Sequence, residues 1–411
     1  MRRGDRVRLT VERPAAGGRM IARHDGAIVF VSGAIPGEVV EAEIEKVQRG
    51  TVWAGTRAVL EPSADRVDAR EGACGGSVYA HVAYPRQQQL KAAIVADGLR
   101  RIGRVTLDAP VDVVPSPVDG YRMRARLHVR GDRIGFFREG SHSICDAAAT
   151  RQLRDDTIEV IRRLEERLAP AGAVSDIELA ENIVASERAI HLELMPGADV
   201  SRLASLAAVD GVNGASCSHV NNARTIELFG STLVADQIRG ATLSRHVRAF
   251  FQGNRYLLAP FVDWVLEQVA GGPLVDLYAG VGLFSLTAAG AGATSVTAVE
   301  GDEFAARDLQ RNADGRITVL KMPVEEYRPR TGDPIATVIV DPPRTGMSKD
   351  ALARAIALRA QRFIYVSCDI ATLARDTRVL LDAGYRIDSV RAFDLFPNTA
   401  HVETVISFSA N

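Results

Sequence analysis

The period of the apolar positions changes along the chain. Up to about residue 60 they recur in short, alternating or β-branched runs: Val7-Arg-Leu-Thr-Val11, Gly26-Ala-Ile-Val-Phe-Val31, Glu38-Val-Val-Glu-Ala-Glu-Ile44 and Thr51-Val-Trp-Ala-Gly-Thr56. Gly17-Gly18 and Pro36-Gly37 lie between them, so the pattern predicts short strands joined by tight turns. Many short strands in so small a segment point to a closed barrel of the oligonucleotide-binding type. An amphipathic helix is predicted up to about Arg101, and residues 150 to 245 mix helix, strands and a Gly-rich turn without a legible chemical motif.

From about residue 246 strands and helices alternate. Strands are predicted at Pro273–Tyr278, Ser295–Glu300, Ile317–Lys321, Thr337–Asp341 and Phe363–Cys368. Helices fill the gaps around Leu283, Phe304–Asn312, Ala351–Leu358 and Leu373–Leu381. That alternation predicts a doubly wound parallel sheet with right-handed crossovers, closed by two further strands at Val390–Phe396 and Val402–Phe408. The expected fold class is therefore α/β. A small barrel occupies residues 1–60, a linker and central α+β subdomain 61–245, and a doubly wound domain 246–411.

Composition adds little to this picture. The 411 residues carry a formal net charge of -1, so no global basic signal marks a nucleic-acid partner, and local distribution matters more. No run of about 18 apolar residues occurs, so no membrane span is expected. The basic start, Met1-Arg-Arg-Gly-Asp-Arg, lacks an apolar stretch behind it, so no signal peptide is expected and a cytoplasmic location follows. The four cysteines are widely spaced and do not make a disulfide framework.

The ends of the parallel strands are where an open α/β sheet places its ligands. Cys368 ends one such strand, where it is either a nucleophile or a buried, inert thiol. Asp276-Leu-Tyr278-Ala-Gly280-Val-Gly282 opens the first strand–helix turn, and Glu300 ends the next strand, where a carboxylate can take ribose hydroxyls. NAD would want a third glycine where Ser285 stands. Asp341-Pro-Pro-Arg344 ends the fourth strand, where Pro-Pro rigidifies the turn and Asp341 can face a ligand. Elsewhere, Arg122, Arg124 and Arg126 alternate, which predicts three guanidinium groups on one strand face. Phe136-Phe137 follow nearby, a combination suited to single-stranded RNA or to a solvated strand face.

Gly18-Arg-Met-Ile-Ala-Arg-His-Asp-Gly26, Gly33-Ala-Ile-Pro-Gly-Glu38 and Val59-Leu-Glu-Pro-Ser63 resemble the TRAM domain, an RNA-binding appendage of RNA-modifying enzymes. The first strand–helix turn with its acidic partner is similar to the S-adenosylmethionine fold of class I methyltransferases. Phe251-Gln252-Gly-Asn254, Asp341-Pro-Pro-Arg344, Ser367-Cys368, Phe393-Asp-Leu-Phe-Pro-Asn-Thr399 and His401-Val-Glu403, in this order, resemble the RNA uracil-5-methyltransferases over essentially the whole chain.

That resemblance implies methylation of carbon 5 of a specific uridine, with S-adenosylmethionine as cofactor, Cys368 as nucleophile and Glu403 as base. It carries cofactor contacts over to Gln252, Tyr278, Gly280, Glu300 and Asp341. RNA contacts are expected from Arg122, Arg124, Arg126, Phe136 and Arg344. Ribosomal RNA (23S) is favoured over tRNA, and a monomer is expected. A catalytically silent RNA-binding protein and an amino-methyltransferase acting on RNA or DNA remain rival readings. Many members of the family hold a [4Fe–4S] cluster on four cysteines. Here only Cys74 stands at such a position; Asp68, Ser77 and Thr150 occupy the others and Cys145 lies five residues before the last. No iron–sulfur cluster or other metal is expected, because cluster ligation needs thiolates.

Overall fold

The computed structural model describes residues 1–69, 74–220, 224–329 and 334–410. Gly72 and Ala73, which precede Cys74 in the family-like segment, lie outside the described residues.

Five strands, Arg6–Pro14, Met20–His24, Ala27–Ser32, Val39–Gln48 and Thr51–Glu61, close into a barrel. Strict alternation in the first strand turns Val7, Leu9 and Val11 inward, where they meet Val29, Val31, Ala42, Ile44 and Ala54. The Pro36-Gly37 turn places Glu38 inside the protein. Its carboxylate accepts from the backbone N–H groups of Ile35 (2.8 Å) and Ser63 (3.1 Å) and from the Arg66 guanidinium at 2.6 and 2.7 Å. One buried acid thereby ties the turn, the barrel's exit and the linker together, and its hydrogen bonds offset the cost of its burial.

The middle of the chain contributes the helix Tyr84–Arg101 and a seven-stranded sheet. In that sheet Arg124–Arg130 lies between Val174–Glu181 and Arg133–Phe137. The helix Asp155–Leu168 buries Ile158, Ile161, Leu164 and Leu168, one stripe at helical spacing, against the sheet's apolar face.

The third unit is an eight-stranded sheet. Across it the order runs Thr318–Lys321, Ala293–Glu300, Gly272–Leu277, Thr337–Val340, Arg362–Ser367, Glu403–Ala410, Tyr385–Phe393 and Asp112–Val114. The first five are mutually parallel; Glu403–Ala410 runs antiparallel to both of its neighbours. Order reverses between Gly272–Leu277 and Thr337–Val340, the switch point at which ligand crevices open. Two departures from the sequence pattern stand out. The outermost strand, Asp112–Val114, comes from the middle segment of the chain. The expected Val390–Phe396 strand is Tyr385–Phe393 instead, because the Asp394 N–H turns to the carbonyl of Val114 and Asp394 is drawn inward to Lys91.

Cys74 and Cys145 form a disulfide, with their Cα atoms 5.9 Å apart. The widely spaced cysteines are not expected to form a disulfide framework; this one pair is bridged, while Cys217 and Cys368 stay free. Cys74 and Cys145 are 71 residues apart in sequence, and the bridge between Cys74 and Arg138, with the Gly75 N–H bonded to the Phe137 carbonyl, brings the Cys74 segment beside the Ile144–Asp146 strand. Ser77 and Thr150 direct their hydroxyls to the carbonyls of Cys74 (2.6 Å) and Ala147 (2.7 Å). Among the described residues no cluster of three or more His, Cys, Asp or Glu side chains could hold a metal ion. None of their helices is long and apolar enough to cross a membrane.

Candidate active site

A cleft of about 730 Å³ opens at the switch point, along the carboxyl ends of the parallel strands. That size falls in the usual range for a small-molecule site. Gln252, Tyr278, Gly280, Glu300, Asp341, Arg344, Cys368 and Glu403 all line it.

One wall is built by the first strand–helix turn. Leaving Gly272–Leu277, Tyr278 takes a left-handed backbone (φ 63°), followed by Gly280 (57°) and Gly282 (99°), the residue that caps the helix Leu283–Gly290. Left-handed backbone is unfavourable for a bulky aromatic and marks a functional turn. A Cβ at Gly282 would lie 2.8 Å from Leu309, so the turn can press onto the neighbouring helix only without one. Glu300 is buried. Its oxygens accept the N–H groups of Gly280 (2.7 Å) and Asp302 (2.6 Å). Each oxygen keeps a second lone pair for a ligand hydroxyl, and burial raises the group above its ordinary value. Val281, Leu283, Ala305, Pro323 and Val324 supply apolar surface beside it.

At the other end stand the groups with reactive chemistry. Cys368 follows the strand Arg362–Ser367, and Asp369 behind it caps the helix Ile370–Asp382 by accepting from Thr372 N at 2.9 Å. Glu403 starts the adjacent antiparallel strand. Burial pushes the Cys368 thiol up to about 11, and the nearby Glu403 charge adds to this while Arg344 opposes it. Burial also holds Glu403 well above the ordinary carboxylate range, reinforced by Asp341 and again opposed by Arg344. Asp341 is pushed up to about 7 by burial and by Asp276, against a hydrogen bond of 3.2 Å from Gln252 Nε2. Carboxylates crowded into one desolvated pocket cannot all ionise freely.

Asp276 lies behind this wall. Ser285 donates to it at 2.5 Å, and burial pushes it up to about 7. Its other oxygen has no hydrogen-bond partner among the described residues. Ser285, where a dinucleotide loop would carry glycine, thus serves the strand's own carboxyl group.

Of the RNA contacts expected in the central subdomain none lines the cleft itself, and only Arg124 is placed beside a residue that does. Arg124 and Arg126 do share the Arg124–Arg130 strand, but Arg122 precedes it, bridged to Asn254. Arg124 pairs with Glu178 at 3.1 Å, and Arg126 with Glu193 at 2.8 Å and Asp176 at 3.5 Å. The expected stacking residue Phe136 is only 7% exposed and packs in the sheet's core, so its ring offers no free face. Phe137 instead lies against His128, ring centroids 3.5 Å apart.

Sequence reasoning passed over Phe250. It is 62% exposed, lines the cleft mouth, and has the Arg124 guanidinium 5.9 Å from its ring. Its only signal was an aromatic immediately before the Phe251-Gln252 motif.

The cleft therefore combines the glycine turn and its acidic partner with a thiol and carboxylates, an arrangement that suits a class I methyltransferase. The family described as tRNA (Uracil-5-)-methyltransferase matches residues 234–410, and the TRAM domain matches residues 2–54. A relative from Pseudomonas putida, 23S rRNA (uracil(1939)-C(5))-methyltransferase RlmD, is 30% identical over 99% of this chain and 94% of its own length. The enzyme of the same name from Pectobacterium atrosepticum is 29% identical over 95% and 91%. Among solved structures, the Pyrococcus abyssi tRNA (uracil-54, C5)-methyltransferase in complex with S-adenosyl-L-homocysteine aligns over 97% of this chain and 99% of its own. Its TM-score is 0.79 and its identity 26%. The chain belongs to the RNA uracil-5-methyltransferase family.

Proposed function

We propose that the protein methylates carbon 5 of a specific uridine in 23S rRNA, using S-adenosylmethionine, with Cys368 as nucleophile and Glu403 as base. The observation that carries this reading is the placement of Cys368 and Glu403 on neighbouring antiparallel strand ends, both lining the cleft that contains the glycine turn.

The residues present fit the cofactor. Glu300 suits the ribose hydroxyls, Val324 and Ala305 flank space for a flat base, and Gln252 with Asp341 stands toward the reacting end. When bound, the cofactor supplies an electrophilic sulfonium methyl group. The Cys368 thiolate forms a bond to carbon 6 of uracil, and the displaced π pair makes carbon 5 nucleophilic. With the cofactor bound, carbon 5 would take its methyl group, and the pair of the broken sulfur–carbon bond would remain on sulfur. Glu403 then takes the carbon 5 proton. That C–H pair rebuilds the double bond between carbons 5 and 6, and the Cys368 thiolate leaves with the pair of its broken bond. Burial strengthens Glu403 as a base for this step. Arg344 favours the negative charge of the Cys368 thiolate and of the ionised Glu403 carboxylate. The uridine must leave its stack to reach the thiol, and the exposed Phe250 with Arg124 offers a stacking surface at the mouth.

The named relatives of P. putida and P. atrosepticum support ribosomal RNA; the P. abyssi neighbour supports tRNA as the second reading. Purified protein, labelled S-adenosylmethionine and unmodified 23S rRNA or tRNA, followed by nucleoside analysis, decides between them. The proposal expects 5-methyluridine in rRNA. Label confined to tRNA establishes the second reading, and label in an exocyclic amine refutes the chemistry.

A further inference from the structure

The loop between the last two strands carries Phe396 to the cleft and leads into Glu403. Its shape is not set by the doubly wound sheet alone. Lys91, on the helix Tyr84–Arg101, is fully buried, and its ammonium meets the equally buried Asp394 at 2.5 Å. It also donates to the carbonyl of Phe396 at 3.0 Å. That carbonyl accepts from the Thr399 hydroxyl at 2.7 Å as well, and the same hydroxyl receives the N–H of His401 at 3.1 Å. One turn earlier on the helix, Gln87 accepts from the Asn398 N–H at 2.9 Å and donates to its side-chain oxygen at 2.9 Å. Asn398 is held in left-handed backbone, φ 62°.

A lysine completely removed from water carries a large desolvation cost that a merely structural contact need not incur, since two apolar side chains would fill the same space. A buried lysine tied to a carboxylate and to one particular carbonyl fixes geometry. From this carbonyl the hydrogen bonds run through Thr399 to His401, two residues before Glu403.

We propose that Lys91, paired with Asp394, is a positioning residue for the methyl transfer site: it sets the Phe396–Glu403 segment so that Glu403 reaches the carbon 5 proton of the covalent adduct. This rests on the roles proposed above for Cys368 and Glu403. Misplacing a catalytic group by about 1 Å costs up to roughly 100-fold in rate, and here the loss falls on adduct resolution rather than on adduct formation.

The test uses the full-length double variant Lys91→Met/Asp394→Leu, which replaces the ion pair by apolar groups of similar volume. Thermal unfolding, S-adenosylhomocysteine titration and denaturing-gel detection of the protein–RNA adduct are measured together. The proposal expects near wild-type folding and cofactor affinity, with adduct resolution slowed roughly 10- to 100-fold, so that adduct accumulates. Loss of a purely structural contact would lower the melting point without accumulating adduct. Wild-type resolution in the folded variant overturns the proposal. Should the variant not fold, Lys91→Gln/Asp394→Asn puts uncharged polar side chains at both positions and shortens the reach from residue 91 toward residue 394 and the Phe396 carbonyl alike. It is expected to accumulate adduct, and wild-type resolution there overturns the proposal equally. Glu403→Gln runs alongside: if it accumulates no adduct, the assignment of the base has failed rather than the positioning of it.

Discussion

Ser367 pairs with Thr404 at the cleft end of the antiparallel strands Arg362–Ser367 and Glu403–Ala410. Cys368 follows directly on Ser367 and Glu403 directly precedes Thr404, so both stand at the same end of this strand pair. The nucleophile and the base proposed for this site are thus 35 residues apart in sequence yet fixed by one pair of hydrogen-bonded strands. Cys368→Ala should lower methyl transfer by more than about 1,000-fold while leaving S-adenosylhomocysteine affinity within about twofold. Isothermal titration and a labelled methyl transfer assay read the two together, and retained turnover would remove Cys368 from the mechanism.

Arg344 is the cation that both reactive groups feel. It lowers the Cys368 thiol and the Glu403 carboxyl from the high values their burial imposes. Arg344→Met should therefore raise both. Adduct resolution needs Glu403 ionised, so the acid limb of the resolution rate should lie above the ordinary carboxylate range in the wild type and move to higher pH in the variant. Alkylation of Cys368 by iodoacetamide should keep rising with pH beyond the ordinary thiol range near 8.5, and should be slower in the variant at each pH. An unmoved acid limb would show that Arg344 acts elsewhere.

Gln252 links the segment before the sheet to Asp341, donating to it at 3.2 Å. Gln252→Ala removes the one hydrogen bond that lowers Asp341, and so disfavours the ionised carboxylate. A lost hydrogen bond to a charged group costs about 1.5–3 kcal/mol. Cofactor affinity should fall roughly 10- to 100-fold, measured by titration, with folding little changed. An affinity equal to wild type would free Gln252 and Asp341 from the cofactor.

Much of this site was legible in the sequence for a physical reason. A parallel sheet exposes function at strand ends, and strand ends are marked by the change from β-branched runs to Gly, Pro and Asp. Glu300, Asp341 and Cys368 stand at such strand ends and Tyr278 in the turn after one, the family resemblance supplied their roles, and all four line one cleft. The central sheet was less legible. Its strand Arg133–Phe137 buries Ile134, Gly135 and Phe136 in succession, so the two-residue period fails where the choice between Phe136 and Phe137 had to be made. Pairings across long sequence separations left no local trace: Cys74 with Cys145, and Lys91 with Asp394. Phe250 was missed because an exposed aromatic looks the same in sequence as a buried one.

Phe250 invites its own test. The ring is exposed at the mouth with a guanidinium near it, and base stacking on an aromatic contributes about 1–3 kcal/mol. Phe250→Ala should weaken RNA binding by that amount, roughly 10- to 100-fold, without altering S-adenosylhomocysteine affinity. Filter binding at fixed salt measures it, since backbone contacts vary steeply with ionic strength. Unchanged RNA affinity would leave Phe250 without a role in recognition.

Asp276 offers a test independent of activity. Burial pushes its carboxyl up to about 7, whereas in the unfolded chain it titrates near 3.9. A group raised on folding contributes fully below its unfolded value and loses that contribution as pH rises toward its folded value. Between about pH 4 and pH 7 wild-type stability should thus fall by up to about 4 kcal/mol from this group alone, at 1.36 kcal/mol per unit. Asp276→Asn keeps an acceptor for the Ser285 hydroxyl, which lies 2.5 Å from the wild-type carboxylate, but cannot ionise. The difference between variant and wild type, read from urea midpoints across this window, should favour the variant increasingly as pH rises. Parallel curves for the two proteins would mean that Asp276 is already ionised in the folded state, with a counter-charge drawn close to its unpartnered oxygen.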